Sequence, residues 1–310
     1  MATRLSTMPS MPVAPSRRHS SPSSSQHREP GYRAERVDAE PPSSGAATAR
    51  HWRAARLRVR ASSNARPHMQ RILALGGGGF LMEDAASPID AYILTLPGKR
   101  KPKVCFVSTA SGDHPDHIAK FYAAYGSLDC EPSHLAFFRN PTSGSIALSN
   151  LEEGVLGQDV VFVGGGNTKS ALAVWREWHL DSIFRRALSS GVLLAGMSAG
   201  AMCWFESGLT DSYWGNGYQP LPCLGFLPGA CGVHYHADGQ RQSRLAEALR
   251  AGVIPAAMAI DDYAGVLYQN GAVSKVLSWR HGATAYTVEA NAGRVIETPH
   301  ECTTIAPSGV

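Results

Sequence analysis

The sequence predicts an α/β fold: a mostly parallel sheet with helices on both faces and an antiparallel β extension at its C-terminal end. Three observations predict it. Strand text alternates with helix text from Arg71 to Met202. Most strands in that span are continuous apolar runs, the pattern of strands covered on both faces. Three of them run into glycine-containing turns, where an open α/β sheet places its ligands.

The elements follow in order. Ile72 to Leu75 is the first strand, closed by Gly76 to Gly79. Lys103 to Ser108 is the second, followed by a polar turn and a helix from Pro115 to Tyr125. His134 to Phe138 reads as the third. Asp159 to Val163 is the fourth, ending in Gly164-Gly165-Gly166-Asn167-Thr168. Helical text then runs to Leu188, and Gly191 stops it. Val192 to Ala195 is the fifth strand, and it enters Gly196-Met197-Ser198-Ala199-Gly200. Residues 207–233 are dense in Gly and Pro, which predicts long loops beside the site. Arg241 to Arg250 is helical. From Met258 onward short β segments alternate with turns, and Asn270-Gly271 is a strong hairpin signal. We read these as an extension of the same sheet, not as a separate domain.

Composition bounds the rest. The chain has 310 residues, 44% of them hydrophobic, which is ample for a core. Its net charge of +4 is uneven. Residues 1–68 hold twelve Arg, no Lys and four acids, a net of +8, so residues 69–310 are net −4. The folded part therefore gives no reason to expect nucleic acid. Residues 1–68 are rich in Ser, Pro, Ala and Arg and lack periodicity, which predicts disorder. The first acid is Glu29, and Arg58-Val59-Arg60-Ala61-Ser62 is similar to a plastid processing site. That composition predicts a transit peptide to a plastid or mitochondrion; without such a role the protein is expected in the cytoplasm. The division expected is 1–68, extension, and 69–310, the folded α/β domain. The six cysteines form no CxxC pair, so neither a disulfide framework nor a zinc site is indicated. No 18-residue apolar run exists, and no membrane role is expected.

Gly-x-Ser-x-Gly after an apolar strand is the pattern of a nucleophile on a sharp strand-to-helix turn, here Ser198. A side chain at Gly196 or Gly200 would collide with the neighbouring strand or helix. A serine nucleophile needs a base. His234 and His236, in Val233-His234-Tyr235-His236 at the end of a short apolar approach, are placed to reach another strand's rim. Acyl transfer also needs donors for the developing oxyanion. Gly166 at its strand end and Ala199 at the serine's own helix start offer backbone amides. Asn167 and Thr168 are candidate substrate contacts beside them.

Together, Val163-Gly-Gly-Gly-Asn-Thr168, Gly-x-Ser198-Ala-Gly-Ala at a spacing of 32 from Gly166, and Leu227-Pro-Gly leading to His234-Tyr resemble the peptidase E (aspartyl dipeptidase) family of serine peptidases. Cyanophycinase is a more distant relative. The resemblance spans roughly residues 70–298. It implies a sheet similar to that of class I glutamine amidotransferases, with Ser198 as nucleophile, His234 as base, and Gly166 and Ala199 as oxyanion hole. It implies short peptides with an N-terminal aspartate as substrates, and no metal or organic cofactor. A monomer or a dimer is compatible with it.

The third catalytic member stays open between Asp211 and Asp262, with Asp261 behind them; spacing does not decide. The family carries glycine where Tyr263 stands. Arg241 and Arg244 fall on the family's basic positions and would hold the substrate carboxylate. His236 stands where relatives carry an acid. Two further readings remain: a cyanophycinase-like β-aspartyl hydrolase, and a non-hydrolytic binder of a small acidic ligand, motivated by His236 and Tyr263.

Overall fold

The computed structural model describes residues 68–215 and 217–306. The expectations for residues 1–68 fall, His68 apart, outside the described residues. In chain order the elements begin with β1 (Arg71–Leu75), α1 (Pro88–Thr95), β2 (Lys103–Val107), α2 (Pro115–Tyr125), β3 (Glu131–Leu135), α3 (Leu151–Leu156) and β4 (Val160–Val163). They continue with α4 (Thr168–Glu177), α5 (Leu180–Ser189), β5 (Leu193–Met197), α6 (Ala199–Met202), β6 (Phe205–Thr210), β7 (Gln219–Pro222) and β8 (Leu227–Val233). The last are α7 (Gly239–Arg250), β9 (Ala256–Ile260), β10 (Ala264–Gln269), β11 (Ala272–Ser278), β12 (Ala285–Asn291), β13 (Arg294–Pro299) and β14 (Cys302–Thr304).

Eight strands form the main sheet in the order β14-β11-β10-β1-β5-β4-β2-β3. From β1 to β3 every pairing is parallel. The period-two rule divides their side chains between two cores. Ile72 and Ala74 face the core beneath α3, α4 and α5, while Leu73 and Leu75 face the core beneath α1 and α2. Both faces are covered, which is why these strands read as unbroken apolar runs.

The expected antiparallel extension is there: β10 pairs with β1 and β11 with β10, through a hairpin with Asn270 and Gly271 both at positive φ. A second sheet lies beside it that the sequence reading did not separate. Its order is β13-β12-β9-β8-β6-β7. Three of its strands lie partly or wholly in the stretch read as loops, and three come from the stretch read as extension. Short strands with Gly and Pro carry little periodicity, so assignment to a sheet rested on pairing partners far away in sequence.

The third strand also differs, running Glu131–Leu135 and not to Phe138. The Asp113 carboxylate explains the early stop: it accepts hydrogen bonds from the Phe137 and Phe138 amides at 2.5 and 2.7 Å, removing them from the ladder.

One buried acid has a measurable consequence. Asp90 closes a capping box with Ser87 at the start of α1, accepts from Tyr125 Oη at 3.3 Å, and is fully buried. Burial, only partly offset by those hydrogen bonds, pushes its pKa up to about 6. The folded state therefore holds the Asp90 proton more tightly than the unfolded chain. Its contribution to stability is greatest below about pH 4, falls as pH rises to about 6, and is flat above that. Over that window the drop is roughly 3 kcal/mol, at 1.36 kcal/mol per pKa unit. Denaturant melts of the protein and of Asp90→Asn at pH 4, 5, 6 and 7 are expected to diverge by that amount. Parallel curves would rule it out.

Candidate active site

The carboxyl ends of β1, β4 and β5 meet at one rim, and Ser198 stands there between β5 and α6. Its backbone sits at φ 58, ψ −115, outside the ordinary regions for a residue with a Cβ. The turn is held tight by close packing: a Cβ at Gly196 would overlap the backbone of Gly200, and one at Gly200 the carbonyl of Val163. The Ser198 amide donates to Leu75 O at 3.1 Å, tying the turn to β1.

His234 follows β8 at φ 51. Ser198 Oγ lies 2.9 Å from its Nε2, and Asp262 Oδ1 lies 2.5 Å from its Nδ1. The arrangement requires the tautomer with hydrogen on Nδ1, which donates to Asp262 and leaves Nε2 to accept from the serine. His234 and Asp262 are partly buried, their side chains 17% and 25% exposed. Sheet register brings them together. Val233 pairs with Ile260 across parallel β8 and β9, so the residues just beyond emerge side by side.

Of the three acids considered, Asp262 meets the imidazole. Asp211 instead faces Arg241, with Oδ2 3.9 Å from a guanidinium nitrogen. Asp261 pairs with His236 Nδ1 at 2.6 Å and accepts from the Thr284 amide at 3.2 Å. His236, in place of the acid expected there, is thus held by a neighbouring carboxylate. Tyr263 adopts the left-handed φ of 63 that a glycine would take freely. Its ring carries the Arg280 guanidinium 3.3 Å from its centroid and packs edge-on against Trp279. Neither departure displaces the serine–histidine–aspartate line.

Gly77 escaped the sequence reading, which took Gly76 to Gly79 as an ambiguous turn. A Cβ there would overlap Asp262 Oδ1 and stand 2.8 Å from His234 Nδ1. The signal was a glycine run directly after a buried strand.

A cavity of about 900 Å³ opens over Ser198. Gly166 and Asn167 line one side, and Asp211, Ser212, Tyr218 and Arg241 another. The Ala199 amide is the first of α6, a position that helices leave without an internal acceptor. Asn167 is committed to structure: its Oδ1 caps α4 at the Ser170 amide, and its Nδ2 donates to Ser212 O at 3.1 Å. Thr168 corrects the expectation of a substrate contact. It is 1% exposed and its amide donates to Ser212 Oγ, so it underlies the site.

Arg241 lies against the Tyr218 ring at 4.6 Å, near Asp238 and Asp211, with Nε buried and making no hydrogen bond. Arg244, expected beside it, lies one turn further along α7, where it pairs with Glu247 at 2.8 Å in solvent. It does not line the cavity, because i and i+3 positions share a helix face only approximately. Among the described residues no group of three or more His, Cys, Asp or Glu could hold a metal ion. None of the described helices is long and apolar enough to cross a membrane.

The sequence pattern of peptidase family S51 matches residues 72–276. A Bacillus subtilis (strain 168) protein named "Uncharacterized peptidase YgaJ" is 40% identical over 231 residues, covering 74% of this chain and 97% of that one. The fold is similar to the crystal structure of a peptidase from an acI-B1 Actinobacterium, with a TM-score of 0.58 and 15% identity, covering 75% of this chain and 96% of that one. It is also similar to a putative peptidase E protein from Listeria monocytogenes EGD-e, with a TM-score of 0.51 and 15% identity, covering 68% of this chain and all of that one. At that identity the two structures speak to the fold alone.

Proposed function

The chain belongs to peptidase family S51 and is a serine-type peptidase; on that footing we propose that it removes N-terminal aspartate from short peptides through an acyl-enzyme on Ser198. The observation that carries this reading is the line Ser198 Oγ, His234, Asp262, with contacts of 2.9 and 2.5 Å, beneath a cavity large enough for a dipeptide. Ser198 attacks the scissile carbonyl while His234 takes its proton. Asp262 orients the ring and stabilises the imidazolium. The Gly166 and Ala199 amides receive the oxyanion. His234 returns the proton to the leaving amine, and water then releases aspartate by the same steps in reverse order.

Two charges lining the cavity suit the first residue of such a substrate. Arg241 offers a guanidinium to the side-chain carboxylate. Asp211, 61% exposed, offers a carboxylate to the free α-amine. An exopeptidase needs such an acceptor, since an unpaired ammonium would resist leaving water.

The test is a panel of dipeptides that begin with α-aspartate, β-aspartate, glutamate or alanine, assayed with the full chain. Turnover of the α-aspartyl members is expected. Arg241→Ala should raise their KM about 100-fold, the loss of a desolvated ion pair, while Arg244→Ala stays within about twofold. Turnover confined to β-aspartyl peptides would replace this reading with the cyanophycinase-like one. Equal turnover of the alanyl peptides would remove the aspartate selectivity.

A further inference from the structure

We propose that Trp214 and Phe138 form an apolar clamp at the mouth of the Ser198 cavity, gripping the side chain that follows the scissile bond. The enzyme then prefers peptides whose second residue is bulky and apolar. This rests on the exopeptidase reading above and adds the identity of the leaving residue.

Both rings line the cavity that holds Ser198, yet they remain 82% and 55% exposed. Burial in a core therefore does not explain their size. Each is held in place through its backbone. Phe138 is set by the Asp113 carboxylate, which is fully buried and accepts from its amide at 2.7 Å. Trp214 sits at φ 41, a conformation that bulky side chains avoid, and its amide donates to Asp211 O at 3.3 Å. The base of its loop is anchored by Ser212, whose Oγ accepts from the Thr168 amide at 2.9 Å. Strain that places an exposed aromatic ring in the wall of the cavity that holds Ser198 points to a ligand.

The chemistry of the other walls assigns the clamp to the leaving half of the substrate. Asp211 and Arg241 take the charged groups of the first residue. The third ring of the cavity, Tyr218, is already covered by the Arg241 guanidinium. Trp214 and Phe138 are thus the aromatic faces left over, and the part of the substrate left over is the second residue. A leucine or phenylalanine side chain there would exclude water from both rings.

The experiment compares aspartyl-leucine, aspartyl-phenylalanine and aspartyl-glycine. It reads kcat/KM with the unsubstituted full chain and calorimetric affinity with Ser198→Ala. Both bulky peptides are expected to exceed aspartyl-glycine by about 10- to 100-fold. In Trp214→Ala and Phe138→Ala that ratio should fall to about threefold or less. Both side chains are exposed, so these variants are expected to keep the parent melting temperature. Equal kcat/KM for the three peptides, or a ratio unchanged in both variants, overturns the clamp and leaves the exopeptidase reading standing. No hydrolysis, but tighter binding of the bulky peptides that Trp214→Ala abolishes, keeps the clamp and overturns hydrolysis. Neither hydrolysis nor selective binding overturns both.

Discussion

Ser198→Ala is expected to lower kcat/KM on every cleaved peptide by roughly 10⁴- to 10⁶-fold, with little change in melting temperature. Alanine removes the oxygen proposed to attack but keeps the Cβ, so the backbone at φ 58 is no more strained than before. The imidazole loses a partner 2.9 Å away, but at 17% exposure it can find water in its place. Residual catalysis would come from the oxyanion donors and from binding. Asp262→Asn should cost about 10⁴-fold in kcat, because an amide nitrogen facing Nδ1 favours the wrong tautomer. Asp211→Asn, acting on the substrate's amine, should act on KM instead. Steady-state kinetics on an α-aspartyl peptide, paired with thermal melts, reads all three. Turnover by Ser198→Ala within tenfold of the parent would end the nucleophile assignment. A large kcat loss in Asp211→Asn would move the third catalytic role away from Asp262.

Gly77→Ala is expected to lower kcat/KM by about 10³- to 10⁴-fold while the protein stays folded. The backbone of Gly77 does not need positive φ, so alanine is tolerated locally. The added methyl meets Asp262 Oδ1 and the His234 ring, both movable side chains at the edge of solvent. They can rotate away, and the line to Ser198 breaks when they do. A misplacement of about 1 Å is enough to cost 10²-fold in a positioned site. Gly76→Ala makes the control. Its methyl would overlap the carbonyls of Ile260 and Asp261, which are backbone and cannot rotate aside. That variant should lose stability first, and activity only as a consequence. Melting curves alongside kcat/KM separate the two. A fully active Gly77→Ala would show that the imidazole and its aspartate tolerate displacement.

Much of this was legible because it was local. The apolar runs at Ile72 to Leu75 and Val160 to Val163 could only be strands covered on both faces, and they are. Asn270-Gly271 wrote its own turn, since both residues accept positive φ cheaply. The helix placed at about Pro115 to Tyr125 was readable and forms there, with proline in its first turn and glycine after it. Gly196 and Gly200 flanked Ser198 for the close approach that the backbone makes there. The second sheet was not legible, because β7 and β8 carry Pro and Gly where a strand signal needs alternation. Arg244 looked equivalent to Arg241 on a helix wheel. One turn of α7 nonetheless separates a cavity wall from solvent.

By itself, then, the sequence determined the order of the strands along the chain and the turn that bears Ser198, and it left His234 and His236 as the candidate histidines. These follow from periodicity and from residues whose backbone preferences act within a few positions. Only the tertiary structure decided which aspartate meets that histidine, why Gly77 must lack a side chain, and that Trp214 and Phe138 face one cavity. Those are contacts across parallel register and between distant loops. They depend on how strands far apart in sequence line up, and no short-range preference encodes that alignment.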